Sequence, residues 1–287
     1  VSVFWALLLP RARRIPWVVH WHADVLASTY SLGLQLFYRL YKPFESAVLK
    51  RSSAIIATSP PYLDSSKPLT PFKSKTHIIP LGLDPSRFNT SPAPLPDSED
   101  SILRVLAIGR LTYYKGFDYL IRSIAQTDNI ALRLVGTGDQ EASLKAIATK
   151  LGMADRIQFL DALSDQELEQ ELVHSDCLCL PSIERTEAFG MVLLEAMYFY
   201  RATVVSDVKG SGMSWVVDNE NTGLLVKTAD VDELSTALKS LEQNRANLAL
   251  YGRNGRHRFD ERFHIEKSAE AVEGLYQMIS DARKPEA

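Results

Sequence analysis

Two glutamates, Glu187 and Glu195, bracket an apolar run interrupted only by Gly190 in the stretch PSIERTEAFGMVLLEAM, residues 181–197. Phe189, Val192, Leu193, Ala196 and Met197 fit one face of a helix that begins near Gly190. Glu187 then falls just before the first turn, and Glu195 about one and a half turns further in. A helix start gathers unpaired N–H groups and the positive end of the helix dipole, which suits phosphate. A carboxylate beside it accepts hydrogen bonds from sugar hydroxyls. The same stretch also reads as an amphipathic helix with two solvated glutamates, so the choice rests on the other motifs.

Arg110 and Lys115 stand five apart in GRLTYYKG. Across one loop they could clamp a diphosphate, the arginine by its planar fork and the lysine as a point charge; as two surface cations they would mean little. Gly136 and Gly138 in VGTGD, and Gly210 and Gly212 in SDVKGSG, permit close backbone approach. A lone GTG is a weak sign of nucleotide contact. His20, His22 and Asp24 alternate after the β-rich run PWVVHWH, and on an extended segment would share a face. That face could hold metal ligands, form a polar active-site edge, or be a hydrogen-bonded structural cluster.

The elements that position these residues divide the chain in two. An apolar helix over 3–9 is expected to stop at Pro10, and strands are expected at 16–22, Ala54–Thr58 and His77–Pro80. Helices over Thr29–Arg39 and Pro43–Arg51, rich in Tyr, Phe, Lys and Arg, present a basic-aromatic face suited to an anionic membrane surface or to domain packing. The Pro-, Ser- and acid-rich SPAPLPDSEDS at 91–101 reads as a linker. From Leu103, apolar strands near 103–108, 131–135, 157–160, 177–180, 202–205 and 223–226 alternate with helical segments, the pattern of a doubly wound parallel sheet. Ligands of such sheets bind at the carboxyl ends of the strands. GRLTYYKG follows the first strand, VGTGD the second, the 190 helix the fourth and SDVKGSG the fifth. Helices over 230–244, 246–262 and 265–282 close the chain.

Composition narrows the classes further. The 287 residues suffice for two cores, and 46% hydrophobic content is that of a globular protein. A net charge of −3 gives no general attraction to nucleic acid. Cys177 and Cys179 alternate in DCLCLP, placing both thiols on one face of a short buried strand, and they fit a reducing compartment. No run approaches the roughly 18 apolar residues of a membrane span. The chain opens on Val, the expectation for a fragment.

The set GRLTYYKG, LVGTGD, EAFGMVLLEAM, VVSDVKGSG and NTGLLV, in this order and spacing, resembles the retaining family 4 glycosyltransferases of the GT-B fold. WHAD, ATSPPYL and IPLGLD extend the likeness toward the N-terminus, and bacterial mannosyl- and rhamnosyltransferases are the most similar branch. The resemblance implies two Rossmann-like domains: an incomplete acceptor-side domain over 1–90, the linker 91–101, a nucleotide-sugar domain over 102–262, and a terminal helix over 263–287 that returns to the first domain. It implies that Gly109, Arg110 and Lys115 hold the donor diphosphate, with Gly136 and Gly138 beside it. Glu187 would touch the donor sugar, the turn Ala188, Phe189, Gly190, Met191 and Val192 would line the donor, and Glu195 would take the ribose hydroxyls. His22 matches the histidine beside the transferred sugar. With Arg110 and Lys115 neutralising the diphosphate, no metal or other cofactor is required. The implied reaction moves mannose from GDP-mannose to a glycan or lipid-linked acceptor in polysaccharide biosynthesis, in the cytoplasm and with peripheral contact at the inner face of the plasma membrane.

Two departures stand out. Family members carry a small residue and Gly after LLEAM, whereas Tyr198-Phe199-Tyr200-Arg201-Ala202 occupies that turn here. The first strands and the Gly-rich acceptor loop are absent, so the chain as given is expected to be inactive. Competing readings are a sugar-nucleotide epimerase of the same fold, which would want acid and base residues beyond His22 and Glu187, and a catalytically inactive sugar-nucleotide-binding module.

Overall fold

The computed structural model describes residues 9, 14–24, 32–95 and 102–282, with 32–37 as backbone only. The helix expected over 3–9 (but for Leu9), the start of the one expected from Thr29, and residues 96–101 of the expected linker lie outside these.

The chain forms two compact units, the first comprising residues 1–80 and 268–287, the second Leu81–Lys267. The first holds a parallel sheet of β1 (Val18–Trp21), β2 (Ala54–Ala57) and β3 (Thr76–Ile78) in that order. Side chains of β2 alternate as a strand requires. Ile55 and Ala57 pack with Leu49 and Leu69 on one face, Ala54 and Ile56 with Ile79 on the other. Helix α1 (Leu32–Arg51) precedes β2, and the short α2 (Pro60–Ser65) follows it, capped by Ser59. Two helices separated before Pro43 were expected, but α1 runs through it. Proline removes one hydrogen bond to the carbonyl four residues back. Pro43 and Arg39 are both exposed, so that carbonyl lies on the solvent face.

The second unit carries six parallel strands: β4 (Leu103–Ile108), β5 (Ile130–Val135), β6 (Ile157–Leu160), β7 (Cys177–Leu180), β8 (Ala202–Ser206) and β9 (Gly223–Val226). Their order is β6-β5-β4-β7-β8-β9, so the winding reverses between β4 and β7. Alternation splits the core cleanly. Val105, Ala107, Leu132, Leu134, Cys177 and Cys179 face α3 (Phe117–Ile124), α4 (Glu141–Lys150) and α8 (Val231–Gln243). Leu106, Leu178, Leu180 and Val205 face α5 (Asp165–His174), α6 (Met191–Tyr198), α7 (Met213–Val216) and α9 (Arg245–Arg262). Both thiols are thus on one buried face, as their spacing predicts, and burial pushes their pKa values up.

The boundary differs from the expected 91–101. Leu83 and Phe88 are buried in the second unit's core, Leu95 packs against it, and the buried Glu169 on α5 accepts the backbone N–H groups of Asn89 and Thr90. Residues 81–90 therefore belong to the second unit, because apolar burial and backbone hydrogen bonds outweigh proline content in deciding where a segment docks. At the other end, α10 (Ile265–Asp281) places Val272, Leu275 and Ile279 on Ala54 and Ile56 of the first sheet and on Ile79, just past its last strand.

The turn that departs from the family pattern is locally compensated. Tyr200 takes the left-handed region at φ 60, and a Cβ on Gly252 of α9 would stand 2.1 Å from its carbonyl oxygen. Arg201 is buried and donates from Nε to Leu172 O (2.8 Å) and from Nη2 to Val173 O (3.1 Å), closing the end of α5; burial lowers its pKa to about 10.

Candidate functional site

The two loops that leave β4 and β7 meet where the sheet reverses direction, which is where open α/β sheets bind ligands. After β4 the chain passes Gly109 and the exposed Arg110, then tightens into a 3-10 turn over Tyr113–Lys115 that Gly116 ends at φ 66. A Cβ on Gly116 would lie 2.2 Å from Pro181 O, so only glycine lets the β7 loop approach this closely. Ile183 N–H donates to Tyr114 O at 2.8 Å and ties the two loops together.

This closeness puts Lys115 against Glu187. The lysine is buried, its Nζ donates to Glu187 Oε2, and Ser182 Oγ reaches the same oxygen at 3.5 Å. The third neighbour is the loop after β8, where Ser211 Oγ donates to Glu187 O and Gly212 N–H to Ala188 O at 2.8 Å. Glu187 and Ala188 are thus fixed from both sides. Phe189 is buried, Gly190 sits at φ 81, and α6 starts at Met191 with no side chain capping it.

Glu195 lies inside α6 and is 6% exposed. Its Oε1 accepts from Arg87 Nη1 at 3.1 Å, while Oε2 is buried without a hydrogen-bond partner. Arg87 Nη2 in turn donates to Asp165 Oδ1 at 2.7 Å. Burial raises the Glu195 pKa above the ordinary carboxylate value, and Asp165 adds to this while Arg87 opposes it. A buried acceptor with no donor calls for an explanation.

The expected residues are distributed unevenly. Lys115 and Glu187 meet, but Lys115 and Arg110 do not share an environment: one is buried and the other exposed, with no ion pair among the described residues. Glu195 contacts neither. Gly136 and Gly138 have a packing role, since a Cβ at either would stand 2.0 Å from Gly109 O and 2.2 Å from Leu111 O. They seat the β5 loop under the Arg110 loop. Met191 and Val192 are half-buried at the start of α6.

His20 and His22 belong to the first unit, with ring centroids 6.2 Å apart. Burial and the neighbouring His22 lower the His20 pKa. Asp24 Oδ1 accepts from Trp21 Nε1 at 2.8 Å and Ser66 Oγ at 2.7 Å, and its N–H donates to the Tyr62 hydroxyl. Of the three readings of this triplet, a hydrogen-bonded structural cluster is the one Asp24 adopts. Among the described residues no three His, Cys, Asp or Glu side chains are grouped to hold a metal.

Sequence reasoning missed Arg87, Ser182 and Ser211. Asp84-Pro85 announces a helix start, and Asp84 does cap the turn by accepting from Ser86 N–H at 2.9 Å. Nothing local announces a contact between Arg87 and a residue more than a hundred positions away.

Residues 95–258, more than half of the chain, match the family described as glycosyl transferases group 1, and residues 1–87 match glycosyltransferase family 4. The O-antigen chain mannosyltransferase C of Escherichia coli is 27% identical over 270 residues, covering 93% of this chain and 70% of the relative. The D-rhamnosyltransferase WbpZ of Pseudomonas aeruginosa is 29% identical over 254 residues, covering 86% of this chain and 64% of the relative. The chain thus spans about two thirds of the length of these two proteins. Among solved structures, the sucrose-phosphate synthase of Thermosynechococcus elongatus superposes with a TM-score of 0.79 at 25% identity, covering 98% of this chain and 71% of that one.

Proposed function

The chain belongs to the group 1 glycosyl transferases, and on that premise we propose that it serves a retaining hexosyltransferase whose second unit binds a nucleoside-diphosphate sugar, mannose carried on GDP. The observation that carries this reading is the meeting of Lys115 and Glu187 where the sheet reverses, with the buried, donor-less carboxylate oxygen of Glu195 on the helix that starts there.

Lys115 and the exposed Arg110 take the diphosphate. Glu187 takes hydroxyls of the sugar and holds the Lys115 ammonium in place. Glu195 takes the ribose. As the bond from the anomeric carbon to the phosphate oxygen breaks, negative charge grows on the diphosphate, and fixed cations stabilise that state more than the ground state. The departing phosphate oxygen accepts the proton of the acceptor hydroxyl as the new glycosidic bond forms on the same face. No protein base is needed in this scheme, and the cationic role that a metal could fill falls to Arg110 and Lys115.

The acceptor is a glycan or lipid-linked saccharide of polysaccharide assembly, as the E. coli relative's name suggests. No helix of the described residues is long and apolar enough to cross a membrane. Leu40 and Phe44 on α1 are 66% and 54% exposed, near Arg39 and Lys42, a surface suited to peripheral contact with anionic lipid at the inner face of the plasma membrane.

The direct test is thermal stabilisation by GDP, UDP and ADP. A ligand of the folded state adds RT ln(1 + [L]/Kd), about 2.7 kcal/mol at a hundredfold excess over Kd. GDP should raise the melting temperature most. Equal responses to all three would remove the donor assignment, and no response to any would remove the nucleotide site.

A further inference from the structure

We propose that Arg87 is a positioning residue of the nucleotide site, holding the Glu195 carboxylate by one oxygen so that the other is left for the vicinal hydroxyls of a nucleoside diphosphate's ribose. This rests on the role given to Glu195 above.

Arg87 is itself held from several sides. Its second Nη nitrogen is bound by Asp165 Oδ1 at 2.7 Å. Its guanidinium carbon lies 5.0 Å from the centroid of the Phe88 ring. Phe88 is buried against the end of α6, stacked on Tyr198 at 5.4 Å and edge-on to Phe199 at 4.9 Å. Beyond it, Glu169 clamps the backbone of Asn89 and Thr90. With Nη2 engaged by Asp165, the guanidinium meets Glu195 by single-point contact, from Nη1 to Oε1 at 3.1 Å. The other oxygen, Oε2, is buried and lacks a donor. Burial of a lone acceptor is unfavourable unless a ligand supplies the missing hydrogen bond.

Charge supports the same assignment. Glu195 is surrounded by Arg87 from the preceding segment and Asp165 from the start of α5. Along α9, which packs on α6, Arg256 is engaged by Asp260 and the Tyr198 carbonyl. Arg87 is therefore the cation that favours the ionised carboxylate against burial and Asp165. An ionised carboxylate accepts hydroxyl hydrogen bonds more strongly than a neutral one.

The test is calorimetric titration with GDP and with UDP between about pH 5 and pH 8, alongside melting curves. Arg87→Gln should weaken the better-binding nucleotide ~10-fold at neutral pH. It should also move the acid-side loss of affinity upward by about one pH unit, because removing the cation raises the Glu195 pKa. Arg87→Lys should give intermediate affinity and a pH profile close to wild type. In a Glu195→Gln background, Arg87→Gln should cost nothing further. A variant that melts lower but keeps wild-type affinity and acid limb, or losses that add in the double variant, would overturn the proposal. Should Arg87→Gln not fold, Arg87→Lys decides alone: several-fold weaker binding at an unchanged melting temperature supports the assignment, and wild-type affinity overturns it. If the wild type binds neither nucleotide, the donor reading falls and takes this inference with it. If Glu195→Gln weakens binding while Arg87→Gln does not, only this inference falls.

Discussion

Glu169 and Glu195 are both buried glutamates of the second unit, both are reached by the segment 84–90, and their pKa values move in opposite directions. Burial pushes Glu169 up, but bonds from Thr90 and Asn89 outweigh it and the pKa ends below the ordinary value. For Glu195 burial wins, because Arg87 serves only one oxygen and Asp165 works against it. Two glutamates that are both buried thus differ in their supply of donors. Both oxygens of Glu169 are occupied by backbone N–H groups of its own chain. An open oxygen is still not sufficient, since Glu45 on α1 has one too, with Tyr38 its donor at 3.4 Å on the other oxygen. Glu195 is set apart by its place on the helix that starts where the sheet reverses.

The largest effect should come from Lys115, whose ammonium donates to Glu187. If that pair serves the reaction, Lys115→Ala in the intact enzyme lowers kcat by on the order of 10²–10³ with little change in donor KM, as losses of transition-state donors do. A lower melting temperature with near-normal kcat would class Lys115 with Glu169 instead.

Next in size is Glu195→Gln, expected to weaken GDP binding by about 1.5–3 kcal/mol, roughly 10- to 150-fold, through loss of a charged acceptor. The melting temperature of the ligand-free protein should change little, because the variant also relieves a buried charge. Unchanged GDP affinity in calorimetry would erase the contrast with Glu169.

Glu169→Gln should do the reverse on a smaller scale. It removes charge-assisted bonds worth about 1–2 kcal/mol once the amide's remaining acceptor is counted, and lowers the melting temperature by a few degrees while GDP affinity holds. A carboxylate whose folded pKa is depressed contributes stability above its unfolded pKa and loses it as pH falls through the folded value. The difference between wild type and Glu169→Gln should therefore be complete near neutral pH and fade as pH drops below the ordinary carboxylate value. A difference independent of pH would show that packing, not charge, is what Glu169 supplies.

The strands of the second unit were legible because most are short apolar runs, buried throughout in β7 and β8, and runs such as LRVLAI or CLCL leave little choice of structure. Glu187 and Glu195 were legible as residues with possible chemistry, since a helix start and its spacing are local properties. The boundary was not. Residues 91–101 carry the composition of a linker, but the division follows Leu83, Phe88 and Glu169, whose contacts join positions far apart in sequence. The basic-aromatic stretch was read as two helices because proline usually ends one, and its exposed position allowed α1 to continue.

Periodicity, punctuation and charge spacing thus determined the two-unit α/β plan, the parallel sheet, the shared face of the cysteines and the short roster of residues able to do chemistry. All of these depend on neighbours within a turn or a strand. Tertiary structure alone decided which of those residues meet: that Lys115 finds Glu187 and not Arg110, that Gly136 and Gly138 serve packing, and that Arg87 takes one oxygen of Glu195 and leaves the other open. Partnerships of this kind form when distant segments are brought to the same strand ends, and the free energy that selects among them belongs to the packed whole.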